Sequence, residues 1–515
     1  MVRSLVRWFS LLCLSQLANS APLDLKDILD QLNATGACCT ALQYFLPGKV
    51  VLPTDINYLS SQTSFWSGQE QSLHPTCIVI PTSTQDVSTA VTVLSTGYQA
   101  SISGCKFAVR GGGHTPHAGA ANIEGGVTID MQSMNHVNLS DDRKSVSIGP
   151  GNRWGNVYGI LDEQNLAMIG GRVSSVGAAG LLTGGGVSFF SGRYGFACNN
   201  IQSYEVVLGN GTVVTASSTQ NPSLFRALKG GGNNFGIATR FDAKVYPQSS
   251  FWGGQITQPI TNKEAYFDFM ANFTRSATYD PYAALFSNFL WVEGAPSVLL
   301  QYTVYSNGEA AWPPPAFASL DAMPKLLTTV RKEKLSSFTN EISSESTATK
   351  GLQNAFVTTS IVNNPDVSAE YMSRAWELSD IAVKELVLVV GIAFTLTYQP
   401  LPQVLYSKDS SSNVLGLDRF RDDLINILFV VTWTLPTDNE RVYARLQRLE
   451  NDLVALAENR GIANEWLYLN YAAQWQKPIA SYGTANVAFL KGVSKSYDPA
   501  GIFQNAVPGG FKLDI

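Results

Sequence analysis

The chain has 515 residues, of which 45% are hydrophobic and 15% charged, with a formal net charge of −5 at pH 7. That is the composition of a packed globular protein of more than one domain, not of a disordered chain. The acidic balance argues against a nucleic-acid binder that works by charge, and the one compact basic run, Arg331 to Lys334, contains Glu333 and reads as a solvated face.

The N-terminal residues, MVRSLVRWFSLLCLSQLANSAPL, join two arginines, an apolar run and the small residues Ala18-Asn19-Ser20. This order predicts a secretory signal peptide over residues 1–20, because the run is too short to span a bilayer. The longest later apolar run, Leu386 to Leu396, is also short and carries Gly391, so the sequence predicts no membrane anchor and a secreted or lumenal destination. With Cys13 lost, Cys38, Cys39, Cys77, Cys105 and Cys198 remain. Adjacent cysteines rarely bond each other, so one or two disulfides should tie Cys38 and Cys39 to Cys77 and Cys105, leaving Cys198 unpaired. No second cysteine pair or histidine cluster has metal-ligand spacing. Sequons mark Asn33, Asn138, Asn210 and Asn272 as candidate glycosylation sites.

From Pro75 to Pro247 short β-rich runs alternate with glycine turns. Strands are predicted at Cys77 to Ile80, Phe107 to Val109, Val127 to Asp130 and Ser145 to Ile148, and helices at Ser83 to Leu94, opening at a Ser/Thr cap, and at Trp154 to Gln164. Val206 to Val214 reads as a hairpin whose Asn210-Gly211 pair suits a type I′ turn. From Phe251 the elements lengthen. Ala284 to Val292, Val298 to Tyr305, Leu386 to Tyr398 and Ile425 to Thr434 are predicted strands of one antiparallel sheet, and Pro313-Pro-Pro315 marks a surface connection. Asp438 to Asn459 is the clearest helix: Thr437 and Glu440 form a capping box, Val442, Leu446, Leu449, Leu453 and Leu456 line one face, and Gly461 ends it. The fold class is therefore α+β, a glycine-rich first domain followed by a second in which helices cover an antiparallel sheet.

Three glycine clusters carry the chemistry: Gly111-Gly112-Gly113, Gly184-Gly185-Gly186 and Gly230-Gly231-Gly232. None belongs to a G-x-G-x-x-G or Walker A motif, and neither a G-x-S-x-G elbow nor an H-E-x-x-H helix occurs. Brought together, the clusters would turn rows of backbone N–H toward an anion such as a pyrophosphate. One of the four histidines of the chain, His114, ends the first cluster.

In this order and spacing the motifs resemble the berberine-bridge-enzyme-like group of FAD-linked oxidases, which share the vanillyl-alcohol-oxidase (PCMH-type) flavin fold, over nearly the whole mature chain. Arg110-Gly-Gly-Gly-His114 is similar to the family's phosphate loop ending in the histidine that bonds the flavin 8α-methyl. Val176-Gly-Ala-Ala-Gly180, Gly184-Gly-Gly186 and Arg193-Tyr-Gly195 resemble its second flavin segment, and Gly230 to Ile237 resembles the segment that reaches the adenine half. Tyr468-Leu-Asn-Tyr471, Tyr482-Gly483 and Tyr497-Asp-Pro499 resemble the module that closes back on the flavin domain. The resemblance implies FAD contacts at Arg110, Gly111, Gly112, Gly113, His114, Thr115, Gly119, Ser175, Val176, Gly177, Gly180, Gly184, Gly185, Gly186, Ile237 and Asn470. It also implies domains at 21–250 (FAD), 251–463 (substrate) and 464–515 (returning module). Members with two flavin links carry a cysteine where this chain has Val173, so a single link through His114 is expected. Val176 resembles the residue of oxidase-competent members, which favours O2 as acceptor and H2O2 as product.

Alcohol oxidation needs a group to take the hydroxyl proton. If Trp466 to Tyr471 is a strand, Tyr468 and Asn470 share a face and Tyr471 points away; the resemblance places an asparagine of this kind against the flavin, which implies that Tyr468 faces the site too and makes Tyr468 and Asn470 the catalytic candidates. His117 has no assigned role, and His74 and His136 read as surface or turn residues. The expected function is oxidation of a small alcohol or phenol of a secondary-metabolite pathway to a carbonyl or cyclised product, with the form of the glycine loop resembling fungal members. A carbohydrate oxidase, a cyclase using the flavin domain as a scaffold, and a redox-silent binding protein are the competing readings. Oligomeric state leaves no signal in the sequence.

Overall fold

The computed structural model describes residues 36–514. The signal-peptide reading and the Asn33 sequon lie outside the described residues, whereas Asn138, Asn210 and Asn272 are all exposed.

Strands β1 (Val50–Val51), β2 (Cys77–Val79), β3 (Phe107–Arg110) and β4 (Val127–Asp130) form a small sheet in the order β1-β2-β4-β3. β2, β4 and β3 are parallel and almost wholly buried, which explains their continuous apolar runs. Helices α1 (Ala37–Phe45) and α2 (Thr84–Gln99) pack on this sheet. The disulfides Cys38–Cys105 and Cys39–Cys77 pin α1 to the loop before β3 and to β2, so the adjacent cysteines take two distant partners. Cys198 is free and buried, and burial pushes its thiol up to about 12. The cap of α2 forms as the sequence predicts: Ser83 Oγ accepts from Asp86 N at 3.1 Å and the Asp86 carboxylate accepts from Ser83 N at 3.2 Å. The helix runs past Leu94 because its buried face continues through Ser95 and Gly97.

Strands β5 (Val137–Leu139), β6 (Ser145–Ile148), β7 (Leu166–Met168), β8 (Ile201–Val207), β9 (Val213–Ser217) and β10 (Ile237–Pro247) make a six-stranded sheet, ordered β5-β6-β10-β8-β9 with β7 beside β10. Helix α3 (Trp154–Glu163) packs against it through Trp154, Val157, Tyr158 and Leu161. The β8–β9 hairpin corrects one expectation. Its turn is not type I′, since only Gly211 is left-handed (φ 83°). Gly211 N donates to Leu208 O at 2.8 Å, and Asn210 uses its side chain to accept from Thr212 N, so asparagine serves as an acceptor instead of adopting positive φ.

The third sheet has nine strands: β11 (Phe251–Pro259), β12 (Ala283–Val292), β13 (Val298–Tyr305), β14 (Leu327–Thr328), β15 (Arg331–Glu333), β16 (Gln353–Val362), β17 (Ala393–Leu401), β18 (Leu424–Trp433) and β19 (Ala463–Asn464). Their order is β14-β11-β13-β12-β17-β18-β16-β19 with β15 beside β11, antiparallel throughout. Helices α4 (Lys263–Phe273), α5 (Pro365–Glu385) and α6 (Asn439–Asn459) cover one face, burying Phe289, Phe394, Leu396, Phe429 and Val431.

The predicted strand Leu386 to Tyr398 is corrected at its start. Leu386 caps α5, the chain turns through Gly391 (φ 67°), and β17 begins at Ala393. The apolar run misled because Val387 and Leu388 are exposed turn residues. At α6 the predicted box does not form: Pro436 opens a 3₁₀ turn that moves the cap to Asp438, which makes no side-chain cap bond. Val442, Leu446, Leu449 and Leu453 face the core as predicted, with Ala457 completing the buried stripe while Leu456 is only partly buried. Nor is Trp466 to Tyr471 a strand; it ends in a 3₁₀ turn over Leu469–Tyr471. Beyond it, Trp466, Tyr468 and Tyr482, together with Leu490 of α7 (Thr484–Tyr497), share a core with Trp154, Phe196 and Tyr204. Ile502, Phe503 and Val507 enter the core of the small sheet.

Candidate active site

β3 delivers Arg110 and the first glycine cluster. Gly112 lies back to back with Gly177: a Cβ on Gly112 would fall 2.3 Å from Gly177 Cα, and one on Gly177 would fall 2.5 Å from Gly112 Cα. Two glycines are required there because nothing larger permits the backbones to touch. Gly113 (φ 63°) then turns the chain into His114. Arg110 itself faces inward. Its Nη1 pairs with Asp130 Oδ2 at 3.1 Å and donates to Ser61 O at 2.7 Å, its Nη2 donates to Ser64 Oγ at 2.6 Å, and its guanidinium lies 3.9 Å from the centre of the Phe65 ring. Arg110 thus braces the loop from beneath.

The His114 ring stacks on Trp66 with centroids 4.5 Å apart and planes 7° from parallel. Trp66 N donates to Gly113 O at 2.9 Å and Ser67 Oγ to Thr115 O at 2.8 Å, fixing the loop to the segment before the one-turn helix Gly68–Gln71. Burial, with the Arg153 charge second, drives the His114 imidazole down to about 3, so its ring is neutral at pH 7. A neutral imidazole keeps the nitrogen lone pair that a nucleophile needs. Further along, Ala121 N donates to Glu70 Oε1 at 2.8 Å; burial pushes this carboxyl up to about 8. His117, driven down to about 4 by burial, meets Phe511 edge-on at 5.2 Å.

The second and third clusters join behind this loop. Arg153 Nη1 donates to Ser175 O, and Trp154 N to Val176 O at 3.0 Å. Gly180 lies in the short helix Ala178–Thr183, whose last carbonyl, Thr183 O, accepts from both Gly230 N (3.0 Å) and Gly232 N (3.1 Å). Asn470 lies over Gly184, where an added Cβ would fall 2.1 Å from its Oδ1. Ile237 opens β10, with its side chain in the small sheet's core. The C-terminal residues close the far side: a Cβ on Gly509 would fall 1.6 Å from Gly119 O, Asn233 Nδ2 donates to Gly509 O at 3.1 Å, and Asn234 Nδ2 donates to Phe511 O at 2.9 Å.

Around this cradle four buried polar atoms have no protein partner among the described residues: Glu70 Oε2, Arg110 Nε, His117 Nε2 and Ser175 Oγ. Unpaired buried groups are uncommon. Together with glycine backbones too closely packed to carry a side chain of their own, they fit a polar ligand with acceptor and donor groups, and FAD meets that description.

At Tyr468 the structure places a sealed phenol. Its Oη accepts from Gly186 N, Val187 N and Asn470 Nδ2, each at 3.0 Å, and burial raises the phenol above its ordinary range. An oxygen already taking three donors, on a ring that is 2% exposed, is a brace for the second glycine cluster. Tyr471, which the strand reading pointed away, is instead turned toward the sheet, where Arg172 Nη2 donates to its Oη at 2.5 Å.

That sheet presents its second face to the cradle. Leu290, Thr395, Val430 and Phe356 stand in register across β12, β17, β18 and β16, and Asn288, Thr397, Leu428 and Thr358 form the next row. Neither row contains an ionisable side chain. The first row is partly exposed, and Phe356 meets Trp66 at 5.4 Å, so this face adjoins His114. Trp66, Arg172 and these rows were not found from sequence. Arg172 left one signal, a cation in an otherwise apolar and glycine-rich segment; Trp66 and the rows left none, because only strand register brings them together.

Residues 75–217 match a family model described as an FAD binding domain. The FAD-dependent monooxygenase sdcF of Emericella nidulans is 36% identical over 484 residues, 93% of this chain and 98% of that one. The FAD-dependent monooxygenase tpcD of Cochliobolus heterostrophus is 36% identical over 486 residues, 90% of this chain and 89% of that one. Among solved structures, the glucooligosaccharide oxidase of Acremonium strictum, described with a 6-S-cysteinyl, 8α-N1-histidyl FAD, superposes with a TM-score of 0.73 at 18% identity, covering 92% of this chain and 98% of that one.

Proposed function

Because the chain belongs to the berberine-bridge-enzyme-like family of FAD-linked oxidoreductases, we propose that it is a secretory-pathway oxidase holding FAD through a single bond to His114. In this reading it dehydrogenates an alcohol or phenol of secondary metabolism and reduces O2 to H2O2. The observation that carries the reading is His114 stacked on Trp66 at the end of the glycine loop, beside two rows of the sheet that hold no ionisable side chain. The two disulfides fit an oxidising compartment.

When bound, FAD supplies the two-electron acceptor. The glycine backbones at 111–113 and 184–186, with Thr115, Ser175 and Gly177, would hold it, and Val173 offers no sulfur for a second link. Tyr471 takes the substrate's hydroxyl proton on Oη, in place of the sealed Tyr468. Asn288 and Thr397, joined by a 2.7 Å hydrogen bond, offer hydroxyl and amide groups to a polar substituent, while Leu290, Val430 and Phe356 present a flat apolar surface. A planar aromatic alcohol suits that surface better than an oligosaccharide, whose hydroxyls call for a denser set of polar partners.

Acid denaturation tests the link: flavin should remain with the wild-type chain and be released from His114→Ala. Flavin freed from the wild-type chain would sink the covalent assignment. A second reading follows from the relatives named monooxygenases, namely insertion of one oxygen atom from O2. Labelled dioxygen separates the two, since an oxidase places no label in the organic product and releases stoichiometric peroxide.

A further inference from the structure

Arg172 is 9% exposed, yet among the described residues no carboxylate pairs with it. The contrast with Arg110, buried against Asp130, is direct. A buried cation without a counter-charge is costly unless its donors are taken up. Here Nη1 donates to Gln399 Oε1, Nη2 donates to Tyr471 Oη at 2.5 Å, and the guanidinium lies 4.3 Å from the centre of the Phe286 ring. Gln399 is held in turn, its Nε2 donating to Pro400 O at 3.1 Å. A chain of contacts therefore runs from the backbone of β17 through Gln399 and Arg172 to one phenol oxygen. It crosses three parts of the molecule: the sheet, the 171–177 segment that backs onto Gly112, and the C-terminal turn. Tyr471 is partly exposed and its Oη has no other protein partner among the described residues, so one lone pair points to Arg172 and the rest of the oxygen is left for a ligand.

We propose that Arg172 is a positioning residue for the oxidation, resting on the reading of Tyr471 as proton acceptor: it orients Tyr471 Oη and supplies the positive charge facing it. In the step itself the substrate O–H bond breaks and an Oη–H bond forms. The O–H electron pair becomes the new C=O bond as the carbon gives up its hydride to the two-electron acceptor. The step starts from the Tyr471 phenolate, whose own proton has passed to solvent on its exposed side, and the guanidinium offsets that negative charge before the transfer. Gln399 and Phe286 hold the guanidinium in plane for this task, which lysine, a point charge without a fork, fills only in part.

The test is a double-mutant cycle on flavin-loaded protein, read as the anaerobic rate of flavin bleaching by a panel of aryl carbinols headed by 4-hydroxybenzyl alcohol. Tyr471→Phe should slow bleaching by about 10²- to 10⁴-fold. Arg172→Met should slow it by at least about tenfold with KM near wild type, and Arg172→Lys should recover part of the loss. The double variant should be no slower than Tyr471→Phe alone, and added guanidinium ion should speed Arg172→Ala where sodium chloride does not. Wild-type bleaching in Arg172→Met beside a slow Tyr471→Phe overturns the inference and leaves the proposed function standing, as do losses that multiply in the double variant. If Arg172→Met fails to load flavin or fold, Arg172→Lys and Gln399→Leu carry the same comparison. Full rate in Tyr471→Phe, or no bleaching by any of the panel, removes the proposed function and this inference with it.

Discussion

Glu70→Gln isolates one buried proton. Glu70 sits on the one-turn helix beside the glycine loop, accepts from Ala121 N at 2.8 Å, and is pushed by burial from its ordinary 4.5 up to about 8, backbone hydrogen bonds only partly offsetting the shift. The folded chain therefore keeps this proton over a range in which the unfolded chain has lost it. Since the unfolded state then binds fewer protons, stability falls as pH rises: the contribution is full below 4.5 and lost by about 8. That interval corresponds to about 5 kcal/mol. Glutamine matches the size of the protonated acid and does not titrate, so the difference between wild type and variant cancels other groups, including His114 and His117. Scanning calorimetry from pH 5 to 8.5 should show the wild-type Tm falling relative to the variant by at least about 5 °C, taking about 1–4 °C per kcal/mol according to how much of the chain unfolds together. A Tm difference that stays flat across this range would refute a neutral, buried Glu70.

Gly112→Ala, whose Cβ would fall 2.3 Å from Gly177 Cα, should cut bound flavin by an order of magnitude or more, measured as absorbance per chain. Gly159→Ala, in α3, where the new Cβ would meet no packing neighbour within 4 Å among the described residues, should leave flavin content unchanged and add about 0.5–1 kcal/mol of stability. Tyr468→Phe strands the Gly186 and Val187 amides, so it should cost about 2–4 kcal/mol in thermal stability while turnover per bound flavin stays within about threefold of wild type. Cys39→Ser opens a loop spanning 38 residues and should cost about 2–4 kcal/mol in denaturant unfolding. Cys198, with its thiol at about 12, should resist alkylation until the chain unfolds.

What could be read from sequence was whatever depends on short-range pattern. The cap of α2, the stripe of α6 and the β12 and β13 strands follow from spacing of a few residues, and the disulfide partners from the oddity of adjacent cysteines. The failures occurred where a local signal had two outcomes. Leu386 to Leu396 is apolar enough for a strand, yet its first half ends a helix and turns at Gly391, exposing Leu388 by 77%. Asn210 fits a left-handed turn position by propensity but accepts a hydrogen bond instead. At the site, the glycine clusters and His114 can be singled out from sequence as candidates, whereas the choice between Tyr468 and Tyr471 as proposed proton acceptor depends on whether residues 466–471 run straight. A 3₁₀ turn places Tyr468 and Tyr471 edge to face at 4.7 Å, and the strand pattern could not foresee that geometry.

The closure of Gly509 and Phe511 over Gly119 and His117 has a consequence for biosynthesis. Roughly 390 residues separate Gly119 from Gly509, so at about 5–20 residues per second a ribosome needs on the order of 20–80 seconds to pass from the loop to the segment that seals it. Throughout that interval the nascent chain exposes a cradle with one wall missing. The cradle is therefore complete only in the finished chain, and an affinity tag fused just beyond residue 511 would compete with the last contacts to form.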